Sequence, residues 1–161
     1  MSSKNKLKVY STVFSHNGHI PPEYTCDGKN INPPIEVDSI PDGTKTLALI
    51  MEDPDAPRQT FDHWIVWNIP PTEAITEESV PGISGTNSFG NIGYGGPCPP
   101  SGAHRYFFRV YALDKKLDLV AGATKEELQE SMHDHILAQG EIMGYYQKKK
   151  VPQPESESRQ D

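Results

Sequence analysis

Short blocks of alternating or clustered hydrophobic residues run along this chain, and most of them read as strands. Residues 8–14 set Val9, Ser11 and Val13 against Tyr10, Thr12 and Phe14, the period of two that sends successive side chains to opposite faces. Residues 46–52 are mostly apolar and stop at Asp53-Pro54, which suits a strand buried on both faces. Residues 63–69 and 104–113 are rich in aromatic and β-branched side chains and predict two more strands. A short strand is expected at 35–37. One block has a different period. Thr124 followed by Glu127 makes a capping box, and Leu128 and Met132, with either His135 or Ile136, fall on one face. A helix is therefore expected over residues 124–137, ended at Gln139-Gly140. Residues 141–147 read as a last strand; a continued helix is the alternative, weakened by Gly140 and Gly144.

Between these blocks lie two long segments rich in Gly and Pro, 15–34 and 71–103. A loop as long as the second is uncommon in a compact domain and is usually functional when ordered. Gly and Pro number 13 and 15 among 161 residues, which favours strands, turns and ordered loops over a helical bundle. The length suits one domain, with a flexible N-terminus at 1–7, a single domain at 8–148 and a disordered tail at 149–161. Many strands and one good helix point to a mainly β, antiparallel architecture. Acidic residues outnumber basic ones, 22 to 15, for a formal charge of −7. That argues against nucleic-acid binding, which needs a basic face. No run reaches the ~18 apolar residues that span a bilayer, and the N-terminus does not read as a signal peptide, so a cytoplasmic protein is expected. Cys26 and Cys98 match no CxxC spacing, and in a reducing compartment they are expected as two free thiols.

Three polar clusters interrupt the apolar blocks. In Asp53-Pro54-Asp55-Ala56-Pro57 the prolines fix the backbone from which two carboxylates emerge; a plain turn closing a strand is the alternative. His63 opens the second aromatic strand, and period two puts it on one face with Ile65 and Trp67; a half-buried histidine satisfied by a carbonyl is the alternative. The third cluster runs from Gly93 through Gly95, Gly96, Pro97 and Cys98 to His104 and Tyr106. Its glycines are able to offer backbone N–H groups to an anion, and His104 and Tyr106 share one strand face. A rigid connector into an aromatic strand is the alternative. His16, His19, His133 and His135 form no HxxxH or HExxH pattern, and no metal or cofactor is called for.

Taken together, Asp53-Pro54-Asp55-Ala56-Pro57, His63-Trp64-Ile65-Val66-Trp67-Asn68-Ile69-Pro70, Gly93-Tyr94-Gly95-Gly96-Pro97-Cys98-Pro99-Pro100 and His104-Arg105-Tyr106-Phe107-Phe108 resemble the phosphatidylethanolamine-binding protein family, also called the Raf kinase inhibitor protein family. The wording is most similar to its bacterial and archaeal branch, the YbhB/YbcL type. The resemblance implies a large central sheet with a smaller sheet packed on one face and one or two helices. It also implies a small anion-binding pocket. Matched residue by residue, that pocket takes Asp53, His63, Pro97, His104 and Tyr106, with Asp55, Pro57 and Gly96 in support. A small phosphate-like or carboxylate ligand, a regulatory role as an inhibitor of a kinase or a protease, and a homodimer follow from the same resemblance. Exposed Tyr145 or Tyr146 would supply the dimer patch. If the strands pair near their starts, Asp53, His63 and His104 converge on a cavity rimmed by Pro97 and the N–H groups of Gly95 and Gly96. A binding role is preferred because no nucleophile motif accompanies these donors; a hydrolase using His63 or His104 as general base is the alternative.

Overall fold

Four long strands carry the architecture of the computed structural model, which describes residues 5–148. They are β5 (Thr46–Asp53), β6 (Phe61–Ile69), β9 (Ala103–Leu113) and β10 (Ile136–Gln147). Shorter strands are β1 (Asn5–Lys6), β2 (Lys8–Tyr10), β3 (Gly18–His19), β4 (Ile35–Asp38), β7 (Ala74–Ile75) and β8 (Ile83–Ser84), and the helix α1 spans Lys125–Met132. The large sheet runs β1-β10-β9-β5-β6-β8, with β3 also on β10. The small sheet runs β2-β4-β7. The long pairs β10–β9, β9–β5 and β5–β6 are antiparallel. Only β1 and β3 lie parallel to β10 among the described residues, so the large sheet is mixed at one edge.

Burial explains the strands. In β5 every residue but Glu52 is buried, as expected for a strand with neighbours on both sides and layers on both faces. One core lies between the sheets, where Leu49, Met51, Trp64, Val66 and Phe108 meet Val9, Ile35, Val37 and Ile75 of the small sheet. The second lies between the large sheet and α1, where Ala48, Ile50, Ile65 and Trp67 meet Leu128 and Met132. Lys125, the first residue of α1, reaches Glu52 on β5 and Asp62 on β6 at 3.1 and 2.8 Å, pinning the helix to the sheet. The expected mainly β fold, with its two sheets and one helix, is the fold observed.

The boundaries depart from the pattern in four places. Residues 5–7, read as part of a flexible end, meet β10, and Leu7 is buried. The strand expected over 8–14 stops at Tyr10, where the Ser11 hydroxyl donates to Pro34 O and accepts the Val13 N–H, replacing the ladder with a local turn. The helix expected to reach 137 ends at Met132, because Asp134 takes a positive φ of 70° and β10 starts at once. Gly140 therefore ends no helix. It lies inside β10, where a Cβ would sit 2.2 Å from Leu7 O, so the missing side chain lets the N-terminal segment approach. The segment 71–103 is cut by β7 and β8 into shorter loops. The expected tail at 149–161 lies outside the described residues.

Leu128 is fully buried under the sheet. Its replacement by Ala should cost about 2–5 kcal/mol in urea denaturation; a loss under about 1 kcal/mol would contradict the packing of α1 described here.

Candidate functional site

The end of β5 brings the polar clusters together. β5 lies between β9 and β6, with Glu52 opposite Phe107 on one side and Asp62 on the other. The side chain of Asp53 thus falls beside the start of β9, and His104 Nδ1 lies 2.7 Å from Asp53 Oδ2, both groups buried. A carboxylate only accepts, so Nδ1 carries the proton and Nε2 is left for other partners. The second oxygen, Oδ1, accepts the Asp55 N–H at 2.8 Å. Both oxygens of this buried carboxylate are therefore engaged by protein.

His63 arrives by a different route. Met51 faces Trp64 and Glu52 faces Asp62, so His63 is the extra residue of a bulge in β6. The bulge moves it off the face predicted by simple alternation. Ile65 and Trp67 point to the helix side, whereas the His63 ring meets Tyr106 at 5.2 Å between centroids, and Phe61 at 4.9 Å. Its Nδ1 lies 2.6 Å from Gly95 O, an acceptor, so Nδ1 again holds the proton. Burial pushes the His63 imidazole below its ordinary value, opposed in part by that hydrogen bond and by Asp53. Neutral His63 keeps a lone pair on Nε2. Tyr106 lies next to both imidazoles. Burial, then the charge of Asp53, pushes its phenol up, so it remains an O–H donor. That hydroxyl is buried with no hydrogen-bond partner among the described residues.

These groups enclose a cavity of about 240 Å³, lined by Asp53, Pro57, His63, His104 and Tyr106 with Ala56, Phe61, Phe89, Cys98, Pro99 and Pro100. Its wall is largely apolar with a few convergent polar atoms, the usual make-up of a small-molecule site. A wider groove of about 820 Å³ passes Lys6, Lys8, His16 and Arg109. Its Arg109 is already paired with Glu52 and Glu141, and among the described residues that line it none has a buried side-chain polar atom left without a partner.

The model of the phosphatidylethanolamine-binding protein family matches residues 10–147. The chain belongs to the phosphatidylethanolamine-binding protein family. It is 49% identical to a UPF0098 protein of Methanothermobacter thermautotrophicus over 88% of this chain and 99% of that one. A UPF0098 protein of Pyrococcus horikoshii is 47% identical over 91% of this chain and 79% of its own length. Among solved structures, a phosphatidylethanolamine-binding protein homologue of Chlamydia trachomatis superposes with a TM-score of 0.87 at 42% identity, covering 90% of this chain and 99% of that one. Escherichia coli YbcL, described as a member of the mammalian family, superposes at 0.82 with 28% identity, covering 89% and 99%.

Within this family fold, three residues expected at the pocket stand behind its wall. Asp55 accepts from the Arg105 backbone N–H and from Nε and Nη2 of its guanidinium, at 2.8–2.9 Å. Those bonds hold its carboxyl down at about 2. Gly96 donates its N–H to Asn30 Oδ1, and Gly95 donates to His63 O. The proposed rim of free N–H donors is thus absent at these two residues. Gly96 serves close packing: a Cβ there would lie 2.3 Å from Asn30 Oδ1 and 2.5 Å from Tyr24 O. Pro97 O accepts the Cys26 N–H at 3.1 Å. Phe89 went unmarked in the sequence because nothing in its loop signals a pocket, whereas Phe61, two before His63, carried a same-face hint.

The expectation of two free thiols is overturned. Cys26 and Cys98 form a disulfide across 72 positions, with Cα atoms 5.5 Å apart. Folding brings the two loops together through the Cys26–Pro97, Gly96–Asn30 and Tyr94–Tyr24 hydrogen bonds, and no spacing in the sequence encodes that approach. Tyr146 is also no surface patch: it is buried, and its hydroxyl donates to Asp27.

The Asp55–Arg105 pair has a pH signature. Folding lowers the Asp55 carboxyl from 3.8 to about 2, so its contribution is full above the unfolded value and disappears as pH falls through the folded one. Chemical denaturation of Asp55→Asn should show a deficit against the wild type near pH 6 that shrinks between pH 4 and 2. A deficit constant down to about pH 2 would contradict the ion pair.

Proposed function

We propose that this chain is a binding protein for a small phosphate-like or carboxylate anion, held in the cavity at the end of β5 and used in regulation. One observation carries the reading: the buried Tyr106 hydroxyl lines the cavity without a partner among the described residues. A buried donor left unmet is costly, and an oxyanion would meet it. The flanking imidazoles complement it. With Nδ1 engaged on each ring, Nε2 of His63 accepts, while Nε2 of His104 donates when that ring is protonated. A hydrogen phosphate suits this mixture, since it offers both acceptors and an O–H, and a carboxylate takes up the donor of Tyr106. Asp53 repels it less than a free carboxylate would, because both of its oxygens already accept hydrogen bonds. Pro57 contributes apolar wall, while Asp55, Gly96 and Pro97 support the site from behind.

Binding is favoured over hydrolysis because the thiol nearest the cavity, Cys98, is tied in the disulfide. The cytoplasmic location, the kinase or protease partner and the homodimer belong to the same proposal and rest on the sequence and the family resemblance. No helix among the described residues is long and apolar enough to cross a membrane.

Calorimetry with acetate, phosphate and phosphoethanolamine tests the reading. Tyr106→Phe removes one hydrogen bond to a charged ligand and should weaken binding by about 10- to 100-fold. His104→Ala, which removes the imidazole that lines the cavity beside Asp53, should weaken the binding of all three ligands as well. A wild-type protein that binds none of the three ligands would sink the proposal.

A further inference from the structure

The disulfide stands at the cavity, not remote from it. Cys98 lines the cavity together with Pro99 and Pro100, and both Cys26 and Cys98 are exposed to solvent. Upstream, the loop is held several times over. Gly95 exchanges hydrogen bonds with His63, Gly96 bonds Asn30, and Pro97 O takes the Cys26 N–H. Downstream, the ties stop. Between Cys98 and the first residue of β9, Ala103, no hydrogen bond is made among the described residues, and Pro99 and Pro100 have no N–H to offer. The covalent bond to Cys26 is thus the anchor of this stretch of rim, supplemented by the packing of buried Pro99.

We infer that Cys26–Cys98 is a site of thiol–disulfide exchange with small-molecule thiols, and that its reduction loosens the 98–102 rim and weakens ligand binding. The inference about affinity rests on the anion-binding reading above; the inference about the rim does not. The exchange is balanced. The attacking thiolate bonds to one sulfur of the pair as the Cys26–Cys98 bond breaks, and the other sulfur leaves as a thiolate and takes up a proton. A second small thiol then resolves the mixed disulfide. Two small thiols end as their disulfide, and the protein gains two S–H groups. Exposure of both cysteines gives the attacker access. The fold survives, because the three hydrogen bonds between the loops and both cores remain. The polar floor of the cavity also survives, because His63 is held by Gly95 and His104 by Asp53. What changes is the order of the wall above it.

The test compares oxidised protein, protein reduced with glutathione or dithiothreitol, and Cys26→Ser/Cys98→Ser, with near-ultraviolet circular dichroism to verify packing. Backbone order parameters at Cys98, Ser101 and Gly102 should fall from about 0.85 to below about 0.6 on reduction, while those of Gly95 and Gly96 hold. Affinity for acetate and phosphate should drop about three- to tenfold, the cost of ordering a few more groups on binding. Reoxidation should restore both. Unchanged order parameters in the reduced protein would overturn the inference, as would a disulfide that glutathione opens only in unfolded protein. Equal affinity in the two redox forms would overturn its functional half. If neither form binds either anion, the binding proposal and the affinity claim fail together, and the order parameters alone decide the loosening of the rim.

Discussion

A carboxylate at the buried end of the most enclosed strand organises this molecule's chemistry. Asp53 follows directly on the β5 run and is itself buried. A buried charge without partners is strongly destabilising, so its two oxygens must find donors within the fold. They find the Asp55 N–H on the turn that follows and the imidazole of His104 on the neighbouring strand. Each bond has a consequence. The first shapes the turn so that Asp55 faces outward and clasps Arg105. The second fixes the tautomer of His104 and leaves its other nitrogen for the cavity.

The register slip in β6 supplies the complement. A regular ladder would send His63 to the helix side with Ile65 and Trp67. The bulge opposite the end of β5 turns it inward instead, where Gly95 O holds it and Phe61, Phe89 and Tyr106 surround it. Bulges add local twist and re-aim a single side chain without disturbing the rest of the strand. Trp64 and Val66 accordingly stay in the core between the sheets, two and four residues from the strand's polar end.

The glycines and prolines of the 93–100 loop act by steric fit and stiffness. Gly96 lets the loop press against Tyr24 and Asn30, which places Cys98 within reach of Cys26. Part of the apolar wall of the cavity is then made from Pro99 and Pro100, residues that need no backbone donors of their own.

Much of this was legible in one dimension. The unbroken apolar run of β5, the alternation of β9 that sets His104 and Tyr106 on one face, and the capping box at Thr124 are local patterns, and local patterns are what a sequence displays. The candidate cluster of Asp53, His63, His104 and Tyr106 was readable for the same reason, aided by the order of the family motifs. The sequence by itself determined where the four long strands run, to within a few residues, and which of their ends carry polar groups, because period and burial follow from side-chain chemistry along the chain. Tertiary structure alone decided the inward turn of His63, the engagement of the Gly95 and Gly96 N–H groups, the burial of Tyr146 and the pairing of Cys26 with Cys98. Each of these depends on a neighbour brought close from far along the chain, and that approach is set by how the two cores and the sheet register close together.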